Sequence, residues 1–80
     1  MFENEPMERS TFTVRPPRPV RYKGQSYMFE SFDVGHIEFA RPDGKRTIDF
    51  DEEDVYCTLA DSFSRKVVRV HLQDRDLEFL

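Results

Sequence analysis

Alternating carboxylates in the middle of the chain are the first residues whose type and spacing suggest chemistry. Asp49, Asp51 and Glu53 place oxygen ligands at every second position, as in the first half of a calcium loop. The pattern then departs from that loop, because Asp54 stands where glycine is needed and Ala60 where a bidentate glutamate is needed. The same carboxylates suit a helix start, where the dipole favours negative charge. We therefore predict an exposed acidic surface and no metal.

The three side chains that could act as soft ligands or nucleophiles are isolated in the sequence. They are His36, Cys57 and His71, and no two have a spacing typical of a zinc site. Each histidine falls on the polar side of a predicted strand, so we expect both to be exposed. No orienting acid, oxyanion hole or glycine-rich turn accompanies Cys57. The sequence thus predicts a protein that is not an enzyme and binds no cofactor.

A basic, proline-rich segment is the sharpest short motif. Pro16, Pro19 and Arg21 fit the Pro-x-x-Pro-x-Arg pattern that docks on aromatic grooves as a polyproline helix. A second interpretation is a rigid connection whose arginines neutralise the acidic helix start. A third is a surface that binds phosphates and stacks bases, formed by Arg15, Arg18, Arg21, Lys23, Tyr22 and Tyr27.

These features favour a non-catalytic protein–protein interaction or regulatory module. The partner would be another protein, and the sequence also allows a homodimer that pairs through a sheet edge. The alternative is a small nucleic-acid-binding β-barrel that uses the basic, tyrosine-bearing edge. The residues expected to bind the partner are Arg15, Arg18, Arg21, Tyr22, Lys23, Asp51, Glu52 and Glu53.

Composition limits the function classes further. Eighty residues with a net charge of −4 make one domain, and the acidic sum argues against strong binding to nucleic acid. No apolar run is long enough to span a membrane, and the N-terminus is acidic where a signal peptide would be basic. A single cysteine fits a reducing compartment. We expect a cytoplasmic protein that does not contact membranes.

A hairpin between His36 and Phe50 is the structural element that the pattern predicts best. Apolar and polar residues alternate on both sides of a Pro-Asp-Gly turn. A four-residue loop, Arg41 to Gly44, would set Ile37 opposite Ile48. A three-residue loop with a bulge would instead set Phe39 opposite Thr47 and mix the faces, so we predict the four-residue loop.

The remaining elements are read from periodicity. Short strands are expected at Thr11–Val14, ending at Pro16, then at Val20–Lys23, Tyr27–Asp33 and Val68–Gln73. The spacing of Val55, Leu59 and Phe63 predicts a helix from about Glu52 to about Phe63. The fold class is therefore mainly β (α+β): a small curled antiparallel sheet or an SH3-like barrel of five to six short strands with one short helix. Residues 1–10 are expected to be a flexible tail, and residues 11–80 a single small β-rich domain.

One short stretch has a fold-level resemblance. Val20-x-Tyr22-x-Gly24-x-x-Tyr27, followed by the Asp43-Gly44 hairpin, resembles the small β-barrels appended to some transposases and other DNA-handling enzymes. The resemblance implies a barrel at the level of the fold, and a likeness of fold alone assigns no function.

Overall fold

The computed structural model describes residues 8–80 and consists of one open antiparallel sheet. The strand order is β4-β3-β2-β1-β5. The prediction of a mainly β, antiparallel fold is confirmed, although the sheet does not close into a barrel and three of its strands are long. The predicted tail falls largely on residues outside the described part, and Glu8 already lies in the first strand. The strands are β1 Glu8–Tyr22, β2 Gln25–Ala40, β3 Arg46–Asp61, β4 Val67–His71 and β5 Leu77–Phe79.

The predicted helix is wrong, because residues 52–61 belong to β3 and the two that follow lie in a turn. Val55, Cys57 and Leu59 are buried on one side of this strand, which is a period of two and not of 3.6. The local hydrogen bond expected of a helix cap does form: Asp51 Oδ1 accepts the backbone N–H of Glu53 at 3.0 Å. In this structure the bond closes a small turn within β3, because an Asp side chain accepts the N–H two residues on in turns as well as at helix starts.

The predicted hairpin exists, but its register is shifted by one residue. The N–H of Arg41 donates to the Lys45 carbonyl at 2.8 Å, and the N–H of Gly44 donates to the Arg41 carbonyl at 3.0 Å. Gly44 has a φ of 82°, as the turn requires. This three-residue loop with a glycine bulge sets Phe39 opposite Thr47. The four-residue prediction is therefore wrong.

Two predicted interruptions are absent from the described strands. β1 continues through Pro16 and accommodates the prolines by a register shift between Thr13 and Arg18. The predicted strand Tyr27–Asp33 and the first half of the predicted hairpin form one continuous strand, β2, whose pairing with β3 is irregular between Val34 and His36. A register shift of this kind lets a strand continue past residues, such as proline, that cannot make the regular hydrogen bonds of the sheet.

The core lies on one face of the sheet, at the end where all five strands meet. Val20, Cys57 and Leu59 have no exposed surface, and Tyr27 and Val70 are nearly as buried. The edge strands β4 and β5 both contribute side chains to this cluster. The partly buried residues that pack around this core are Tyr22, Phe29, Val68 and Leu77.

Candidate functional site

The far end of the β2–β3 hairpin projects from the core as a two-stranded arm. This hairpin arm, residues 37–49, has no β1 partner within the described chain, because the described part of β1 reaches only to His36. The shifted register divides its apolar residues between the two faces. Ile37 and Phe39 lie on one face, while Ile48 and, at the base of the arm, Phe50 lie on the other. All four are 45–49 % exposed, so the arm presents apolar surface on both sides.

The outer edge of the same arm is unpaired and acidic. β4 pairs with β3 only from Tyr56 onward, so residues 46–54, here called the acidic edge, have β2 on one side and no strand on the other within residues 8–80. Among the described residues, Asp49, Asp51, Glu52 and Glu53 form no ion pair. The edge therefore combines apolar side chains, negative charge without an ion partner in the described chain, and backbone groups without a strand partner. At its far end the N–H and carbonyl of Glu53 are taken up by Asp51 and His71.

The predicted basic residues lie elsewhere, on β1 and the turn after it. Within the described chain, no ion pair joins Arg15, Arg18, Arg21 or Lys23 to a carboxylate. Contacts within residues 8–80 therefore give no support to the interpretation that these side chains neutralise the acidic segment. Arg18 is opposite Phe29 in the ladder, and Arg21 lines a shallow surface cleft with Ser26, Asp61 and Phe63.

Both tyrosines of the predicted stacking surface are engaged in the fold. Tyr27 is a core residue, and its hydroxyl donates to Gln25 Oε1 at 2.9 Å. Tyr22 packs against the core and donates to Asp74 Oδ2 at 3.2 Å, with the Lys23 ammonium 5.4 Å from its ring centre. The exposed aromatic side chains of the described chain are phenylalanines, namely Phe12, Phe39, Phe50, Phe63 and Phe79.

A polar network occupies the sheet face opposite the core. Asp33 accepts hydrogen bonds from Arg9 and Arg69, and the bond from Arg69 is 2.7 Å long. Both guanidinium groups also lie over the Tyr56 ring, at 5.5 and 4.0 Å from its centre. The hydrogen bonds from Arg69 and then Arg9 lower the pKa of Asp33. Arg9 also donates to Asp54 at 2.7 Å, so the network holds β1 to β4 across the sheet.

A cluster with metal-ligand chemistry lies on the core-side face near the base of the arm. His36 is 5 % exposed, contrary to the prediction that it would be on the surface. Its Nε2 is 3.3 Å from Glu8 Oε2 and 3.8 Å from Glu38 Oε1, and its Nδ1 is 2.9 Å from Ser10 Oγ. Glu8, His36 and Glu38 each offer a ligand atom, and these atoms lie within 4.8 Å of one another.

Sequence reasoning missed this cluster for a specific reason. Two of its members, His36 and Glu38, are spaced at i, i+2 in a predicted strand, which places them on one face. The third, Glu8, is directly opposite His36 across strands. That contact depends on the pairing of β1 with β2, and no local pattern contains it.

No family model matches the chain, and neither the curated proteins nor the solved structures contain a match. Within residues 8–80 there is no helix long and apolar enough to cross a membrane.

Proposed function

We propose that this protein is a non-catalytic interaction module that binds another protein by adding a strand of that partner to its acidic edge. The observation that supports the proposal is the free, apolar edge of the hairpin arm. An exposed edge strand offers backbone donors and acceptors that a second extended chain can pair with.

The other sheet edges are less suited to this mode of binding. β4 is only five residues long. The β1 edge carries Pro16, Pro17 and Pro19 and a register shift, and proline both lacks an N–H donor and blocks edge pairing. Residues 46–54 contain no proline. The acidic edge is therefore the best template for an incoming strand.

The side chains of the acidic edge define the chemistry of the partner. Ile48 and Phe50 point to one face, and Asp49 and Asp51 belong to the unpaired acidic run. A strand that alternates apolar and basic residues would cover the first pair and neutralise the second. We therefore propose an extended, basic protein segment as the partner.

A binding titration with designed peptides tests the proposal. A fluorescent peptide alternating valine and lysine should bind, as measured by anisotropy, while one alternating valine and glutamate should not. The Asp49→Asn/Asp51→Asn variant keeps the Asx turn and removes two charges, so its affinity should fall roughly fivefold, given about 0.5 kcal/mol for each exposed pair.

The matched control is Asp74→Asn/Asp76→Asn, which removes the same charge from the β4–β5 connection. It should bind the basic peptide as the unsubstituted chain does. Equal binding of both peptides, or equal loss in both double variants, would refute the proposed edge.

Sedimentation of the chain alone tests the homodimer. Self-association that is weakened by Ile48→Lys would identify a second copy of the chain as the occupant of the acidic edge.

Nucleic acid is the alternative partner, because the described chain leaves Arg15, Arg18 and Arg21 without a carboxylate partner. Such an interface predicts binding to oligonucleotides that weakens steeply as salt rises. Replacing all three arginines by alanine should then abolish binding at unchanged thermal stability. An absence of binding at low salt would exclude this alternative.

A further inference from the structure

The buried His36 ring turns one of its nitrogens, Nε2, toward two carboxylates. Its Nε2 faces oxygens of Glu8 and Glu38, and an ionised carboxylate only accepts hydrogen bonds. An N–H on Nε2 can donate to Glu8 Oε2 at 3.3 Å, whereas a metal ion on Nε2 can be shared by an oxygen of each glutamate.

The distances distinguish these two possibilities. Charge-assisted N–H···O bonds are about 2.7–2.9 Å long, and Arg9 and Arg69 each make one of 2.7 Å in this molecule. Nε2 is 3.3 and 3.8 Å from the two carboxylate oxygens, which is long for such a bond. Ligands placed about 2.0–2.1 Å from a tetrahedral zinc ion lie about 3.3–3.4 Å apart. The Nε2–Glu8 distance matches this ligand spacing, and the Nε2–Glu38 distance exceeds it by roughly 0.4 Å, which a small movement of the Glu38 side chain would close.

The groups around the cluster hold the ligands in place. Ser10 Oγ is 2.9 Å from Nδ1, and the Phe50 ring packs at a steep angle beside the imidazole, 5.7 Å between centres. Arg46 donates to Glu38 Oε2 at 3.1 Å, which leaves Oε1 turned toward His36. Partners of this kind orient the first ligands in metal sites.

We infer that Glu8, His36 and Glu38 form a binding site for a divalent transition-metal ion of the zinc class. The ligands are Nε2 of His36 and one oxygen of each glutamate. The imidazole favours zinc over magnesium or calcium, which prefer oxygen alone. The Glu8 side chain is 66 % exposed, so the solvent side of the site has room for a water molecule or a partner's side chain as the next ligand.

Calorimetric titration of the chelator-treated full chain with zinc chloride tests the site. One ion should bind per chain. His36→Gln should abolish saturable binding, and Glu38→Gln should weaken it at least tenfold. Ser10→Ala should weaken it about tenfold, which is typical for loss of a group that orients a ligand. Because the Glu38 side chain is 32 % exposed, its substitution tests the site even if replacing the buried histidine impairs folding.

The chain provides matched controls. His71, whose Nε2 lies 2.7 Å from the Glu53 carbonyl, and the exposed Glu30 are outside the cluster. His71→Gln and Glu30→Gln should bind zinc as the unsubstituted chain does. Nitrogen-15 spectra of the imidazoles should show a zinc-induced shift at Nε2 of His36. The inference is overturned by an absence of saturable binding at millimolar zinc, by unchanged binding in Glu38→Gln, or by a shift confined to His71.

Discussion

Asp33→Asn should reveal how far the polar network stabilises the open sheet. This carboxylate is 14 % exposed on its side chain and accepts from two arginines, whose side chains are 30 and 49 % exposed. The asparagine keeps the shape of the side chain and removes its charge. The two guanidinium groups over the Tyr56 ring would then face each other with less compensation.

The magnitude follows from the exposure of the pairs. Half-exposed arginine–carboxylate pairs contribute about 0.2–1 kcal/mol each, and the sheltered position of Asp33 places both near the upper end. We expect Asp33→Asn to lower the free energy of unfolding by about 1–2 kcal/mol. For a domain of this size, that corresponds to a melting temperature lower by about 5–15 °C.

The effect should depend on pH in a definite direction. The arginines lower the pKa of Asp33, so its stabilisation is complete above the ordinary carboxyl pKa of about 4. It is lost as pH falls through the lowered pKa of the folded state. The difference between the unsubstituted chain and Asp33→Asn should therefore be full at pH 7 and disappear in strong acid.

Urea unfolding at pH 7 and at about pH 2 measures this difference. Asp43→Asn is the control, because Asp43 is 46 % exposed and lies 3.7 Å from Arg41; its effect should stay within about 0.5 kcal/mol. A loss in Asp33→Asn that is equal at both pH values, or no larger than the control, would refute the electrostatic explanation.

Three further predictions concern the core, the turn and the thiol. Leu59→Ala removes a fully buried side chain and should cost about 2–5 kcal/mol, which far-UV circular dichroism in urea would detect as a large fall in the midpoint. Gly44→Ala meets no atom within 4 Å but retains a φ of +82°, so it should cost about 1 kcal/mol from backbone strain alone, with a smaller loss for Gly44→Asn. Burial raises the pKa of the Cys57 thiol, with a further contribution from Asp33, so a disulfide reagent should react far more slowly with the folded chain than with the chain in urea; comparable rates would contradict this burial.

Alternation predicted most of the sheet but left two parts undecided, namely the second half of β3 and the register of the arm. In the second half of β3, Val55 and Leu59 fit a helix and a strand equally, and only the neighbouring strands decide between them. In the arm, the choice of register assumed that apolar residues share a face. Ile37 and Ile48 do not share one, because the arm lies beyond the core and burial does not select its register.

The two candidate sites differ in whether their residues are close together in the sequence. The charged segments are readable from composition, so the acidic run was located correctly although its conformation was not. The cluster of Glu8, His36 and Glu38 depends on a contact between residues 28 positions apart. Such a contact follows from the pairing of β1 with β2, which no local pattern in the sequence reveals.

Hydrogen–deuterium exchange with and without the basic peptide tests the proposed function most directly. The account predicts new protection confined to the amides of residues 46–54, because only these gain a strand partner. Protection centred instead on residues 15–23, or no change along the arm at a saturating peptide concentration, would contradict it.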